Sequence, residues 1–129
     1  MKKVWVNGTF DVLHLGHIKL FEFAKSQGDY LIVGIDSDKR IKELKGKNRP
    51  INNQEARLEF LSAIKYIDTV FIFDSEEELS LIIKNINPDI MVWGDEYKNK
   101  RKIGVEYGKE IVYFNKVEGY SSSTIIDKI

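Results

Sequence analysis

The stretch Thr9-Phe10-Asp11-Val12-Leu13-His14-Leu15-Gly16-His17-Ile18 contains both histidines of the chain and gives its strongest indication of fold and function. It follows the strand-like run Lys3–Asn7 and Gly8, and a segment with helical spacing begins at His17. Histidines three residues apart share one face at the start of a helix, where free backbone N–H groups and the positive end of the helix dipole attract anions. The stretch therefore predicts a phosphate site at a strand-to-helix junction.

Length, charge and cysteine content limit the class of protein. The chain has 129 residues, enough for a substantial core, and we predict one domain over residues 1–129. Twenty basic and twenty acidic residues cancel, which argues against a nucleic-acid partner. The sequence has no cysteine, no secretory pattern after Met1 and no apolar run near the ~20 residues of a membrane span. We therefore expect a cytoplasmic protein with no membrane partner.

Strand-like and helical segments alternate along the chain. The strand-like runs are rich in Val, Ile, Tyr and Phe, and they are Val4–Asn7, Tyr30–Ile35, Thr69–Phe73, Ile90–Trp93 and Glu110–Phe114. Apolar residues at helical spacing mark three segments between them, namely His17–Ser26, Asn53–Lys65 and Glu76–Asn85. Short apolar strands alternating with helices indicate a parallel sheet covered on both faces. We predict an α/β fold, an open doubly wound Rossmann-like parallel sheet of about five strands with helices on both faces.

Small and polar residues follow several of these strands. Gly8-Thr9-Phe10-Asp11 follows the first strand and Gly94-Asp95 follows the fourth. Gly119-Tyr120-Ser121-Ser122-Ser123-Thr124 comes shortly after the fifth. In an open parallel sheet, ligands bind beyond the carboxyl ends of the strands, at the point where the strand order reverses. These segments are therefore predicted to converge on one site.

Two of these segments carry a family resemblance. Gly8-Thr9-Phe10-Asp11 with His14-Leu15-Gly16-His17, and Gly119–Ile126, resemble the two signatures of the cytidylyltransferase-like nucleotidyltransferases. The stretch Leu44–Asn52, followed by Glu55 and Arg57, is most similar to the adenylyltransferase domain that activates heptose 1-phosphate. Short glycerol-3-phosphate cytidylyltransferases are the next most similar. The resemblance implies transfer of AMP or CMP from a nucleoside triphosphate to a small phosphorylated sugar or polyol, with release of pyrophosphate.

The resemblance also implies roles for single residues. His14 and His17 would donate hydrogen bonds to the triphosphate, and Lys45 would be a mobile lysine that swings over the α-phosphate. The implied nucleotide-binding residues are Gly8, Thr9, Phe10, Gly16, Gly94, Asp95, Ser121, Ser122 and Ser123. The implied acceptor-binding residues are Asp11, Arg57 and Lys116. Mg²⁺ would travel with the triphosphate, because it prefers phosphate oxygens, and no metal site made by the protein alone is expected.

Each assignment has a simpler alternative. The histidine pair could be half of a zinc site, although carboxylates would have to complete it, since the chain has no third histidine and no cysteine. The serine run could only cap the last helix, Asp11 could only brace its loop, and Trp93 could be a core strand residue. A nucleotide-binding module without turnover is the alternative from another functional class. The intact histidine pair and serine run favour the enzyme.

Three further expectations concern surfaces. In Asn53–Lys65 the apolar residues Ala56, Phe60, Ala63 and Ile64 predict the buried face, which leaves Arg57 on the polar side. Residues Lys42–Asn52 have few apolar anchors, so they are predicted to be poorly ordered without nucleotide. We also predict a homodimer whose interface lies in Asn53–Phe73, because more aromatic residues are present than one small sheet needs. These aromatic residues are Tyr66, Phe71, Phe73 and Tyr107.

Overall fold

The computed structural model describes residues 1–115, which form a five-stranded parallel sheet in the order β3-β2-β1-β4-β5. The strands are β1 (Lys3–Gly8), β2 (Tyr30–Asp36), β3 (Thr69–Phe73), β4 (Ile90–Gly94) and β5 (Glu110–Phe114). The α-helices of this part of the chain are α1 (Leu15–Ser26), α2 (Asp38–Lys45), α3 (Gln54–Ser62) and α4 (Glu76–Ile86). Short 3-10 turns, Asp95–Tyr97 and Val105–Tyr107, lie between β4 and β5. The predicted open α/β sheet is confirmed.

The sheet has a hydrophobic core on each face. On one face Phe21 of α1 and Leu61 of α3 are fully buried in the same cluster as Val4 and Val6 of β1. On the other face α4 packs against Trp5, which is also fully buried. Burying a large apolar side chain stabilises the fold by about 1.5–3 kcal/mol. The helices thus change face between β1 and β4, and the strand order reverses at the same place.

Each of α2, α3 and α4 begins at a capping side chain. Ser37, Asn53 and Ser75 accept hydrogen bonds from the backbone N–H groups three residues later. These bonds satisfy donors that have no partner inside the helix. Helix α4 ends at Asn87, whose φ of 50° is left-handed, directly before Pro88. Local polar residues therefore set the ends of these helices.

Two helices differ from the prediction. Helix α2 was not predicted, because Ile41 is its one buried residue and its sequence therefore shows no apolar period. Helix α3 was predicted, but it buries Arg57 and Leu61, whereas Phe60 is 51% exposed. The predicted face was wrong for Phe60 because α3 turns Arg57 and Leu61, four positions apart, toward the interior, whereas Ile64 beyond the helix packs against the core as predicted.

The aromatic residues assigned to a dimer interface do not share one environment. Phe73 is 1% exposed and belongs to the core under α4, so its assignment to the surface was wrong. Phe71 lies on the edge strand β3 and is 38% exposed. Tyr66 and Tyr107 are partly buried against the two cores. No helix within residues 1–115 has the length and apolar character needed to cross a membrane.

Asp68 connects the turn before β3 to the neighbouring elements and makes the fold sensitive to acid. Its Oδ2 accepts hydrogen bonds from Lys25 Nζ at 2.6 Å and from the Leu31 N–H at 2.8 Å. Burial raises the pKa of this carboxyl, but the hydrogen bonds from Lys25 and Leu31 outweigh that effect and hold the pKa below 3.8. A carboxylate with a depressed pKa stabilises the fold above its ordinary pKa, and this contribution is lost as the pH falls through the folded-state value.

We therefore expect Asp68→Asn to lower the free energy of unfolding at pH 7 by about 1 kcal/mol, a modest figure because the carboxylate is partly exposed to solvent. The loss of stability between about pH 5 and pH 3 should become shallower than in the wild type. Urea denaturation at both pH values measures this. The control is Asp74→Asn, at an exposed position directly after β3. An unchanged pH dependence in Asp68→Asn would contradict the assignment.

Candidate active site

A cleft of about 290 Å³ opens at the carboxyl ends of β1 and β4, where the strand order reverses. This is the place where open α/β sheets bind ligands, and the volume is near the lower end for ligand pockets. Eight of the predicted site residues line it: Gly8, Thr9, Phe10, His14, Gly16, His17, Lys45 and Gly94. The structure thus brings together residues that are up to 86 positions apart in the sequence, from Gly8 to Gly94.

The remaining predicted site residues do not line this cleft within residues 1–115. Asp95 begins the 3-10 turn after β4, next to the cleft residue Gly94. Asp11 and Arg57 are buried beneath the site, at 1% and 0% exposure. The other four predicted residues, Lys116, Ser121, Ser122 and Ser123, lie outside the described residues.

The two histidines form a reciprocal cap at the start of α1. His14 is the N-cap residue, and its Nδ1 accepts a hydrogen bond from the Gly16 N–H at 3.1 Å. His17 Nδ1 accepts from the His14 N–H at 3.2 Å. Because both Nδ1 atoms accept, the proton of each neutral imidazole is on Nε2. The ring centroids are 3.8 Å apart, and both rings line the cleft. The cap therefore fixes the tautomer in which each ring has an Nε2–H donor.

This arrangement suits an anion better than a metal ion. The Nδ1 atoms are engaged as acceptors of backbone hydrogen bonds, so they are not available as metal ligands. Within residues 1–115 no group of three or more histidine, aspartate or glutamate side chains is placed to hold a metal. Imidazole N–H donors at the N-terminus of a twelve-residue helix add to the attraction of its dipole for phosphate.

Phe10 fixes the loop between β1 and α1. Its φ of 48° is left-handed, which is uncommon for a residue other than glycine and costs about 1–3 kcal/mol. The ring compensates by packing edge-on against His17, with centroids 5.4 Å apart, and against Phe21, at 5.1 Å. It also lies so close to Gly8 that a Cβ at that position would collide with it. Gly8 and the Phe10 ring thus hold the loop and His17 in one arrangement.

Asp11 braces the loop that follows α2. Its carboxylate accepts hydrogen bonds from Arg49 Nε at 3.1 Å and from the N–H groups of Ile51 and Asn52, both at 2.8 Å. Asn52 Nδ2 in turn donates to the Asp11 carbonyl at 2.7 Å. Contact of Asp11 with the acceptor stays a prediction that this geometry does not support, because three donors already occupy its buried carboxylate. The alternative of a bracing role is the one the geometry supports.

Arg57 has a structural environment as well, which corrects its predicted place on the polar side of the helix, whereas its assignment to the acceptor stays a prediction. The side chain is 0% exposed, on the buried face of α3. Its guanidinium donates to the carbonyls of Asn52 (3.0 Å), Thr9 (3.1 Å) and Asp36 (2.7 Å), and to the Asp38 carboxylate (2.8 Å). A planar five-donor group suits such a junction. Arg57 thus joins the loop after β1 to the start of α2.

Lys45 is the last residue of α2 rather than part of a loop. It lines the cleft, and its neighbours from Lys42 to Asn48 are exposed. Gly46 follows with a φ of 98°, and no atom lies close to where its Cβ would be. Poor order of Lys42–Asn52 without nucleotide stays a prediction, and hydrogen bonds from Ile51 and Asn52 to Asp11 argue against it at the far end of the segment.

The wall of the cleft opposite the histidines contains residues that the sequence analysis missed. They are Asn7 of β1, Trp93 of β4, and Glu96 and Tyr97 of the following turn. Trp93 was interpreted as a core residue, and it does pack beside Met91, but it also lines the cleft. The sequence does carry a signal for two of them. Asn7 and Trp93 are the last side chains on one face of β1 and β4, which end at the switch point, the place where the strand order reverses.

The fold and the site together define the class of protein. A doubly wound parallel sheet whose switch-point cleft presents imidazole N–H donors at a helix N-terminus is the architecture of an α/β nucleotidyltransferase. Residues 5–128 match the cytidylyltransferase-like family, and the chain therefore belongs to that family.

Individual relatives agree with this family. The bifunctional protein HldE of Campylobacter fetus subsp. fetus is 46% identical over 126 residues, which are 98% of this chain and 27% of that protein. HldE of Helicobacter hepaticus is 45% identical over 128 residues, or 99% of this chain and 26% of that protein. The chain thus spans about a quarter of the length of these curated relatives.

Solved structures share the fold. A lipopolysaccharide core biosynthesis protein from Thermoplasma volcanium superposes with a TM-score of 0.76 at 28% identity, covering 92% of this chain and 99% of the other. A pantothenate synthetase from Thermus thermophilus gives a TM-score of 0.61 at 15% identity, covering 91% of this chain and 56% of the other, which is a likeness of fold alone.

Proposed function

We propose that the chain is a sugar-phosphate adenylyltransferase that transfers AMP from ATP to a heptose 1-phosphate and releases pyrophosphate. The observation that carries the proposal is the reciprocal cap of His14 and His17, which sets two Nε2–H donors beside the N-terminus of α1 in the switch-point cleft. The similarity to HldE and to a lipopolysaccharide core biosynthesis protein supports a sugar phosphate as the acceptor and a role in carbohydrate biosynthesis. Cytidylyl transfer to glycerol 3-phosphate is the second candidate.

The proposed reaction is an in-line displacement at the α-phosphorus. An oxygen of the acceptor phosphate forms a bond to this phosphorus while the bond to the bridging oxygen of pyrophosphate breaks, so no covalent enzyme intermediate is needed. The Nε2–H groups of His14 and His17 stabilise the negative charge that grows on the leaving oxygens. Lys45, at the mouth of the cleft, neutralises the α-phosphate. Gly16 and the start of α1 let backbone N–H groups approach the phosphates.

Further residues complete the proposed site. Gly94 and Asp95 would hold the nucleoside, while Ser121, Ser122 and Ser123 would bind the outer phosphates and Lys116 the acceptor. Mg²⁺ would arrive with the triphosphate as part of the substrate, and its chemistry is to neutralise the phosphate oxygens. We propose that residues 1–129 act as one nucleotidyltransferase domain, in the cytoplasm, where nucleoside triphosphates are available.

We also propose a homodimer. The support is the edge strand β3 with Phe71, which is 38% exposed, and the neighbouring helix α3 with Phe60, which is 51% exposed. Pairing through this region would cover both rings and the free edge of the sheet. Sedimentation at micromolar concentration tests the assembly, and a monomer would overturn it.

Release of pyrophosphate tests the proposed reaction directly. The purified chain is incubated with Mg²⁺, with ATP or CTP, and with heptose 1-phosphate or glycerol 3-phosphate. We expect release that requires both ATP and heptose 1-phosphate. Release only with CTP and glycerol 3-phosphate would establish the second candidate. If no combination releases pyrophosphate although the nucleotide binds, the chain is a non-catalytic nucleotide-binding module.

Lys45 gives a prediction about the segment after α2. ATP should slow tryptic cleavage after Lys45 and Lys47, because a phosphate paired with Lys45 would order residues that are otherwise exposed. Cleavage is followed by mass spectrometry with and without saturating ATP and Mg²⁺. In the variant Lys45→Gln, cleavage after Lys47 should no longer respond to ATP. Equal cleavage of the wild type in both conditions would contradict a nucleotide-ordered segment.

A further inference from the structure

Asn7 presents an amide nitrogen whose orientation is set by a tryptophan. Trp5 is fully buried, and its Nε1 donates to Asn7 Oδ1 at 2.9 Å. An indole nitrogen can only donate, so the Asn7 oxygen must face it and the Nδ2 group must point elsewhere. Asn7 lines the cleft, and no residue within 1–115 accepts a hydrogen bond from this Nδ2. The core therefore fixes an unused donor at the end of β1.

Trp93 supplies a second unused donor. Trp93 lines the cleft, and no residue within 1–115 accepts a hydrogen bond from its buried Nε1. A buried N–H group left without a partner costs about 1–3 kcal/mol, so it requires an explanation. Asn7 and Trp93 both line the cleft, and each lies two residues beyond the paired residues Trp5 and Met91, on the same face of β1 and β4. The two donors thus belong to the same cleft, where the strand order reverses.

The chemistry of this wall suits hydroxyl groups rather than phosphates. Glu96 folds its carboxylate back over Gly94, so closely that a Cβ on Gly94 would collide with it. Glu96 also lines the cleft, and a carboxylate has several lone pairs with which it can accept hydrogen bonds from hydroxyl groups. Hydroxyl groups can accept from Asn7 and Trp93 and donate to Glu96 at the same time.

The position of the wall relates it to the acceptor. Asn7 and Trp93 are on the sheet face that packs against α4, whereas α1 and its histidines are on the other face. In an in-line displacement the nucleophile approaches from the side opposite the leaving group. With pyrophosphate held at α1, the acceptor approaches from the Asn7 and Trp93 side.

We infer that Asn7, oriented by Trp5, and Trp93 are specificity-determining residues that bind the ring hydroxyls of the sugar-phosphate acceptor. The inference rests on the proposed transfer reaction and adds to it the groups that recognise the sugar. It assigns these two side chains to the acceptor and not to the nucleoside triphosphate.

Two variants test the assignment by steady-state kinetics. Trp93→Phe keeps the aromatic ring and removes the N–H, and Asn7→Ala removes the amide donor. Each should raise KM for heptose 1-phosphate about threefold to tenfold, the effect of losing one hydrogen bond, with KM for ATP within twofold of the wild type. The control is Asn85→Ala, at an exposed position of α4, which should change neither KM. A rise in KM for ATP alone, or unchanged KM values in both variants, would overturn the inference.

Fluorescence gives a readout that does not depend on turnover. The chain has two tryptophans, and Trp5 is fully buried, so Trp93 is the one placed to respond to a ligand in the cleft. Adding heptose 1-phosphate together with a non-hydrolysable ATP analogue should change the emission of the wild type but not that of Trp93→Phe. Binding with an equal emission change in both proteins would overturn the inference. A wild type that shows this Trp93 response without releasing pyrophosphate would overturn the proposed reaction but not the sugar site.

Discussion

Replacing either His14 or His17 by alanine should lower kcat about 10²- to 10³-fold while changing KM for both substrates only a few-fold. Loss of one preorganised donor that acts on the charge of the transition state typically has this effect. Both rings line the cleft with their Nδ1 atoms engaged by backbone N–H groups, so the lost function is that of Nε2–H. Release of pyrophosphate under saturating substrates measures kcat.

The same structure requires a control for stability. His14 is the N-cap of α1, so His14→Ala should also lower the free energy of unfolding by about 0.5–2 kcal/mol. His14→Asn supplies a side-chain oxygen that can accept from the Gly16 N–H, and it should restore the stability without restoring kcat. Thermal melting of the three proteins separates the two effects. Full activity in the folded fraction of His14→Asn would assign the histidine to capping alone.

The double variant distinguishes a joint role from two separate ones. The ring centroids are 3.8 Å apart and both rings line the same cleft, so both can act on the same developing charge. We expect His14→Ala with His17→Ala to lose much less than the product of the two single effects. Multiplicative losses would indicate that each ring acts independently on a different phosphate.

The strands were predictable from the sequence because each is a short apolar run, most fully buried in the inner strands β2, β1 and β4. Residues Tyr30–Ile35 and Ile90–Trp93, for example, match β2 and β4 to within one residue at each end. The side of the cleft that contains the histidines was also predictable, since Gly8, His14 and His17 are close together in the sequence. A short local motif of this kind can be recognised in the sequence without knowledge of the tertiary contacts.

The remaining errors have a common physical origin in tertiary contacts between distant residues. Arg57 has the side chain of a surface residue, and only the carbonyls of Thr9 and Asp36, far away in the sequence, make its burial favourable. Asn7 is a similar case, because the Trp5 indole sets the orientation of its amide, and Trp93, which lines the same cleft, lies 86 positions later in the sequence. Apolar periodicity carries no information about such polar junctions.

We expect the second large effect, a loss of stability, from removing the Arg57 side chain. The Arg57→Ala variant should lower the free energy of unfolding by about 3–5 kcal/mol. Three backbone carbonyls would lose a charged donor, and the Asp38 carboxylate would lose its ion-pair partner. The loss is large because the guanidinium is fully buried. For a chain of 129 residues this corresponds to a drop in melting temperature of roughly 10–20 °C. Arg57→Lys should recover little of the loss, since an ammonium group cannot reach carbonyls in several directions at once.

Calorimetry or circular dichroism measures the melting temperature, and Arg101→Ala is the matched control. Arg101 also pairs with a carboxylate, that of Glu76, but its side chain is 76% exposed, so its removal should change the stability by less than about 0.5 kcal/mol. Arg57 holds the Thr9 carbonyl and the start of α2, so the folded fraction of Arg57→Ala should bind both substrates more weakly. If the melting temperature is unchanged and only KM for the acceptor rises, the structural role is contradicted. The result would then support the prediction that Arg57 binds the acceptor.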